Sequence, residues 1–166
     1  MRDRCLRLGS AGKTFSLTGW KVGYISAPAP LATAVAKAHQ NLTFCTPPNL
    51  QRAVAVGLAK DDTYFAQLAG NLAFQRDLLA DGLERLGMPV ARPEGSYFIS
   101  ADFSRLYDGD DFSFCCHITE QAGVTAIPIS AFYVNDAPRH FARFAFCKQP
   151  AVLEEAIARL RRRFLA

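Results

Sequence analysis

Ser10-Ala11-Gly12-Lys13-Thr14-Phe15-Ser16-Leu17-Thr18-Gly19-Trp20-Lys21-Val22-Gly23-Tyr24 sets one lysine among hydroxyls and glycines, with a second cation close behind it. A lysine that must condense with an aldehyde has to reach its neutral amine form, which partial desolvation beside another cation promotes. Lys13, followed by Lys21, answers to that need. A phosphate calls for backbone N–H groups, hydroxyls and a positive charge, each charge-assisted hydrogen bond contributing about 1.5 to 3 kcal/mol. Ser10, Ser16, Thr18 and Lys21 are the supply. Taken alone, the stretch also suits a lysine in a surface turn.

Gly12-Lys13-Thr14 could instead end a nucleotide-binding P-loop, G-x-x-x-x-G-K-[ST]. That pattern requires a glycine at position 7, where Arg7 stands, and Gly9 comes two residues too late. A P-loop lysine also opens a helix, whereas Phe15 to Gly19 reads as a loop. The P-loop is the weaker reading.

Outward from this stretch, the chain has 166 residues, half of them apolar, and can bury roughly 70% of its unfolded surface. The formal charge of +4 is modest, and no face-long run of Lys and Arg interleaves with aromatics. Nucleic acid is not an expected partner. Arg161, Arg162 and Arg163 close a helical pattern, where cations complement the helix dipole. Five cysteines without regular spacing argue for a reducing compartment. The charged start, Met1-Arg2-Asp3-Arg4, lacks a signal peptide's apolar stretch, and no run reaches the roughly 18 apolar residues of a membrane span. A cytoplasmic protein without membrane partners is expected. Cys115-Cys116-His117 has no second ligand pair at zinc spacing, so no metal is expected, and the three residues read as part of a half-packed helix.

Cys5 to Leu8 and Lys21 to Ser26 read as short strands flanking the lysine. Leu31 to Leu42, behind Pro28 and Pro30, reads as a buried helix, and Pro47-Pro48 opens another through Leu58. A long third helix follows Asp61 or Asp62, with Phe65, Leu68, Leu72, Leu79, Leu83 and Leu86 at helical spacings, and stops at Gly87 before Pro89. Beyond it, Val90 to Arg92, Ser96 to Phe103, Val124 to Ile127 and Phe141 to Cys147 read as strands. Asp111 to Gln121 and Ala151 to Phe164 read as helices. The pattern is an α/β part followed by an α+β part.

At this point the sequence is similar to a known family. The lysine stretch resembles the segment around the Schiff-base lysine of fold-type I, class I/II aminotransferases that use pyridoxal 5'-phosphate, especially the kynurenine, glutamine and methionine aminotransferase group. Ala38-His39-Gln40-Asn41-Leu42-Thr43-Phe44, Pro93-Glu94-Gly95-Ser96-Tyr97-Phe98, Ile127-Pro128-Ile129-Ser130-Ala131-Phe132-Tyr133 and Ala142-Arg143-Phe144-Ala145-Phe146 echo the family in the same order. The resemblance implies the C-terminal part of the α/β large domain of the pyridoxal-phosphate transferase fold, followed by the small α+β C-terminal domain. Residues 1–60 would end the large cofactor domain, 61–87 would form the connecting helix, and 88–166 the small domain.

By the same resemblance, Lys13 carries the cofactor, while Ser10 and Lys21 hold its phosphate. Most relatives outside this group have arginine at the latter position, so Lys21 offers a point charge rather than a fork. The substrates implied are an amino acid and a 2-oxo acid, of methionine, glutamine, aromatic or kynurenine type. Phe44 lies in a segment that approaches the partner's active site in relatives, which implies a homodimer for the full-length protein. The family's pyridine-nitrogen aspartate and glycine-rich phosphate turn lie upstream of the lysine. The chain is therefore expected to be a C-terminal portion, begun at an internal methionine, a truncated frame or a trimmed end, and inactive alone. A non-catalytic binding module of the same fold is the alternative.

Arg143 is the second half of the expected site. If Phe141 to Cys147 is a strand, alternation places Arg143 on one face with Phe141, Ala145 and Cys147. A guanidinium there needs an anionic partner. An amino-acid carboxylate is one, matched by two parallel hydrogen bonds, and the resemblance assigns it. A structural salt bridge with Asp102 or Glu120 is the other reading. Tyr97, Phe132 and Tyr133 read alone as core or rim packing, whereas the resemblance implies that the loops bearing them line the small-domain side of the pocket. His39, His117 and His140 show no arrangement for nucleophilic catalysis.

Overall fold

Residues 2–165 are described by a computed structural model, and the chain divides into two units, Met1–Tyr64 and Phe65–Ala166. In the first unit, β1 (Arg7–Ser10) and β2 (Gly23–Ser26) pair antiparallel, with Arg7 opposite Ser26 and Ser10 opposite Gly23. Lys21 and Val22 stay outside the second strand. Lys21 has a left-handed backbone, φ 54°, which a pleated strand excludes. Between the strands lie a one-turn helix, α1 (Ala11–Thr14), and a 3-10 turn, Thr18–Trp20.

Prolines start the next two helices, because a missing N–H costs nothing in a first turn. α2 (Ala29–Leu42) has Pro30 in its first turn, and α3 begins at its own proline (Pro48–Leu58). Ala11, Val22 and Val54 form the buried core of this unit, with Phe15 and Leu50 packed against it. The sequence suggested a buried α2, yet none of its residues is buried in this chain. Its alanine-rich composition answered to packing that the first unit does not supply.

α4 (Asp62–Arg85) leads into the second unit. Leu79 and Leu83, one helical turn apart, are buried with Ala80, and Leu86 follows beyond the helix end. Gly87, at φ 90°, takes the left-handed position that ends it, while the Met88 N–H donates to the Leu83 carbonyl at 3.1 Å. The sheet then builds antiparallel in the order β3-β4-β6-β5, from β3 (Val90–Ala91), β4 (Phe98–Asp102), β5 (Ile127–Pro128) and β6 (Phe141–Ala145). α5 (Asp111–Ala122) and α6 (Pro150–Phe164) complete the unit.

One face of this sheet is core. Ile99, Ala101, Ala142 and Phe144 point into it with Phe103 and Phe146, and the Phe103 and Phe114 rings stack at 4.0 Å. α5 is capped at its start by Asp110, whose carboxylate accepts from the Ser113 N–H at 2.8 Å. That bond holds the Asp110 carboxyl below its ordinary range. At the other end Gly123 is left-handed, and the Val124 N–H donates to the Ile118 carbonyl at 3.2 Å. The helix cap therefore claims residues expected in a strand, and β5 begins only at Ile127.

Cys115, Cys116 and His117 lie on α5 as expected. Cys115 is buried and its thiol is pushed up to about 12, chiefly by burial, while Cys116 is exposed. No cluster of metal-ligating side chains occurs among the described residues, and none of their helices is long and apolar enough to cross a membrane.

Candidate active site

The lysine stretch is a strand-to-helix corner rather than an open loop. β1 ends at Ser10, whose extended backbone (φ −119°, ψ 109°) turns directly into α1. The Ser10 side chain makes no capping bond, so its hydroxyl is not spent on the helix. The Ala11 N–H donates to the Val22 carbonyl at 3.1 Å, tying the start of α1 to the residue before β2. The Thr18 hydroxyl donates to the Gly12 carbonyl at 3.2 Å, laying the 3-10 turn on the helix.

Gly12 makes that approach possible. A Cβ on Gly12 would stand 3.0 Å from the Thr18 Cα, a backbone atom that cannot move aside. Lys21 follows the turn as its left-handed cap, its N–H donating to the Thr18 carbonyl at 3.4 Å. Ser10, Lys13 and Lys21 are thus mounted on one short hydrogen-bonded segment. All three are exposed in this chain.

In the second unit, Arg143 is central on β6 and half-buried, on the sheet face opposite the core. Strand alternation places it with Phe141 and Ala145, as expected; the exposed Cys147 lies beyond the strand end. Ser100 of β4 and Ile127 of β5 are its cross-strand neighbours. The guanidinium is held between two aromatic rings: its carbon lies 4.1 Å from the Phe98 ring centre and 3.9 Å from that of Phe132. Arg143 Nε is buried and has no hydrogen-bond partner. The salt bridge to Asp102 or Glu120 is not formed. Asp102 instead accepts from the Ser104 N–H at 2.9 Å and lies 4.0 Å from His140 Nε2.

Phe132 ends a 3-10 turn, Ile129–Phe132, and Tyr97 precedes β4, packed against the core with its ring 4.3 Å from that of Phe98. Tyr133 is exposed. Sequence reasoning placed Phe98 only within a motif and did not identify it as a ring against Arg143. Two-residue alternation across paired strands could have found it, since Phe98 and Arg143 share the open face.

The mixed helix and sheet belong to a known class of protein. The model of the aminotransferase class I and II family matches residues 1–160, and the chain belongs to that family. It is 38% identical to a kynurenine–oxoglutarate transaminase of Dictyostelium discoideum, over 94% of this chain and 41% of that protein. Among solved structures, a methionine aminotransferase of Escherichia coli superposes with a TM-score of 0.91 at 37% identity, over 97% of this chain and 42% of that one. An N-succinyldiaminopimelate aminotransferase of Mycobacterium tuberculosis gives 0.89 at 40% identity, over 96% and 42%. The fold is that of the fold-type I transferases, and the chain spans about two fifths of the length of the relatives it matches. Family membership removes the P-loop reading.

Proposed function

We propose that this chain is the C-terminal portion of a pyridoxal 5'-phosphate-dependent aminotransferase, which moves an amino group between an amino acid and a 2-oxo acid. The relatives' names favour methionine, kynurenine or a related amino acid as donor. In the same reading, residues 1–60 close the large domain, 61–87 connect and 88–166 form the small domain. The active form is a cytoplasmic homodimer containing the rest of the family's length.

The observation that carries the reading is Arg143. A guanidinium half-buried between two rings, with Nε buried and unpaired, is costly unless an anion completes it. A substrate carboxylate supplies two acceptors in the guanidinium plane.

The donor set of the first unit fits the cofactor by its chemistry. Lys13 offers an amine for an aldehyde, and Ser10 and Lys21 offer an uncommitted hydroxyl and an ammonium for a phosphate. When bound, the cofactor supplies an electron sink for charge left on the substrate Cα. Lys13 then serves as general base and acid, taking the proton from Cα and returning one. In the second unit, Arg143 binds the substrate by its carboxylate.

The test is to take the protein that carries the rest of the family's length, load it with pyridoxal phosphate, reduce it with borohydride and map the modified lysine by peptide mass spectrometry. Selective modification of Lys13 is expected. Modification spread over Lys13, Lys37, Lys60 and Lys148 would remove the assignment of Lys13 as the cofactor's lysine in this chain.

A further inference from the structure

Asp111 is fully buried, and no step above uses it. It is the first residue of α5, directly behind the Asp110 cap. Both of its oxygens are taken up by one distant residue. Oδ2 accepts from the Ser130 backbone N–H at 2.6 Å and Oδ1 accepts from the Ser130 hydroxyl at 2.9 Å. A carboxylate removed from water persists where such donors replace its hydration. Here the replacement is directed at a single turn.

Ser130 lies in the 3-10 turn Ile129–Phe132, and the last residue of that turn lays its ring on the Arg143 guanidinium. The two rings of the sandwich are secured differently. Phe98 is on β4, where the ladder with β6 sets Phe98 opposite Ala145. Phe132 lies beyond the end of β5, which pairs with β6 only through Ile127 and Pro128. The Tyr133 N–H bond to the Ser130 carbonyl, 3.1 Å, closes the turn on itself and ties it to nothing else. The two bonds to Asp111 tie the turn to α5.

We propose that Asp111 is a positioning residue for the carboxylate site: through Ser130 it fixes the turn that seats Phe132 on Arg143. Its functional meaning rests on the reading that Arg143 receives the substrate carboxylate. A guanidinium whose carbon lies 4.1 Å and 3.9 Å from two ring centres is confined by them, which favours two-bond recognition of a carboxylate over a freely rotating side chain. With one ring unseated, the arginine has a second rotamer to leave before it can bind, and preorganisation is lost.

The Nε–Hε resonance of Arg143 reports the sandwich directly, because the faces of both rings shift it upfield. In the ¹⁵N-labelled 166-residue chain it is assigned by its disappearance in Arg143→Lys. Asp111→Ala and Phe132→Leu are expected to move it downfield in the same sense, and Ser130→Ala by a smaller amount. Ser130→Thr, which retains the hydroxyl, is expected to leave it in place. A merely structural Asp111 would lower the melting temperature and leave this resonance where it is. That result, with the methyl signals of Ile99 and Leu160 unchanged, overturns the proposal. If Asp111→Ala does not fold, the Ser130 pair decides: an unmoved resonance in Ser130→Ala overturns it equally. Titration of the wild-type chain with pyruvate is read on the same signal. No response there counts against the carboxylate reading alone, because the ring seating is measured without ligand.

Discussion

Arg143 is the residue at which stability and function pull apart. Stacking on two rings contributes about 0.5 to 2 kcal/mol per ring, depending on exposure. Against this stands the desolvation of an unpaired Nε donor, about 1 to 3 kcal/mol. Arg143→Leu removes both terms and adds apolar contact with the same rings, worth about 1.5 to 3 kcal/mol at full burial and less at this half-buried site. The terms are of equal size, so Arg143→Leu is expected to lie within about 1 kcal/mol of wild type in urea unfolding. A structural ion pair would behave otherwise, since stranding one buried partner costs about 3 to 5 kcal/mol. A loss of that size would show that Arg143 serves the fold. The side of the sheet occupied by Arg143 was legible from two-residue alternation. The resemblance brought the loop of Phe132 to the pocket, but its ring contact with Arg143 was not legible, because no periodicity links that turn to β6.

At the scale of elements, most helices were legible within one or two residues, because prolines, Asp110, Gly87 and Gly123 mark their ends with local chemistry. Strands were less so. Val124 to Ala126 have the apolar character of a strand, but the cap of α5 takes them first. Helix-to-helix fit was not legible at all. Gly82 of α4 faces Ile157 of α6 so closely that a Cβ would stand 2.3 Å from Ile157 Cδ1 and 3.1 Å from Cγ2. In an isolated helix, Gly→Ala would gain about 1 kcal/mol. Here overpacking, about 1 to 3 kcal/mol, opposes that gain. Gly82→Ala is therefore expected to destabilise the chain by about 1 kcal/mol, and Ile157→Ala in the same chain to recover part of the loss. The double-mutant cycle in urea measures this as a coupling between the two sites. Additive effects would mean that the helices do not meet at Gly82.

Across the whole molecule, the order of motifs made the family legible, since four segments beyond the lysine stretch echo it in sequence. The chain divides after Tyr64, in the first turn of α4. The two units differ sharply in what they bury. The second has a core of large side chains, including Phe103, Phe114, Phe146, Leu83, Met88 and Leu160, all almost wholly inaccessible. Among the described residues, the buried hydrophobic side chains of the first are Ala11, Val22 and Val54, while Leu8, Ile25, Leu42, Phe44 and Val56 are exposed. Ordering a residue costs about 1 to 2 kcal/mol of backbone entropy, and fully burying one valine returns about 1.5 to 3. Three small side chains cannot offset the ordering of some sixty residues, whereas the phenylalanine-rich core answers to a domain's needs. Local opening follows local burial. Hydrogen exchange followed by mass spectrometry on the 166-residue chain is thus expected to show amides of residues 2–64 exchanging with little protection. Those of α5, α6, β4 and β6 are expected to exchange orders of magnitude more slowly. Equal protection in both units would show that the chain opens as one cooperative body, and that the small core of the first unit is not what limits it.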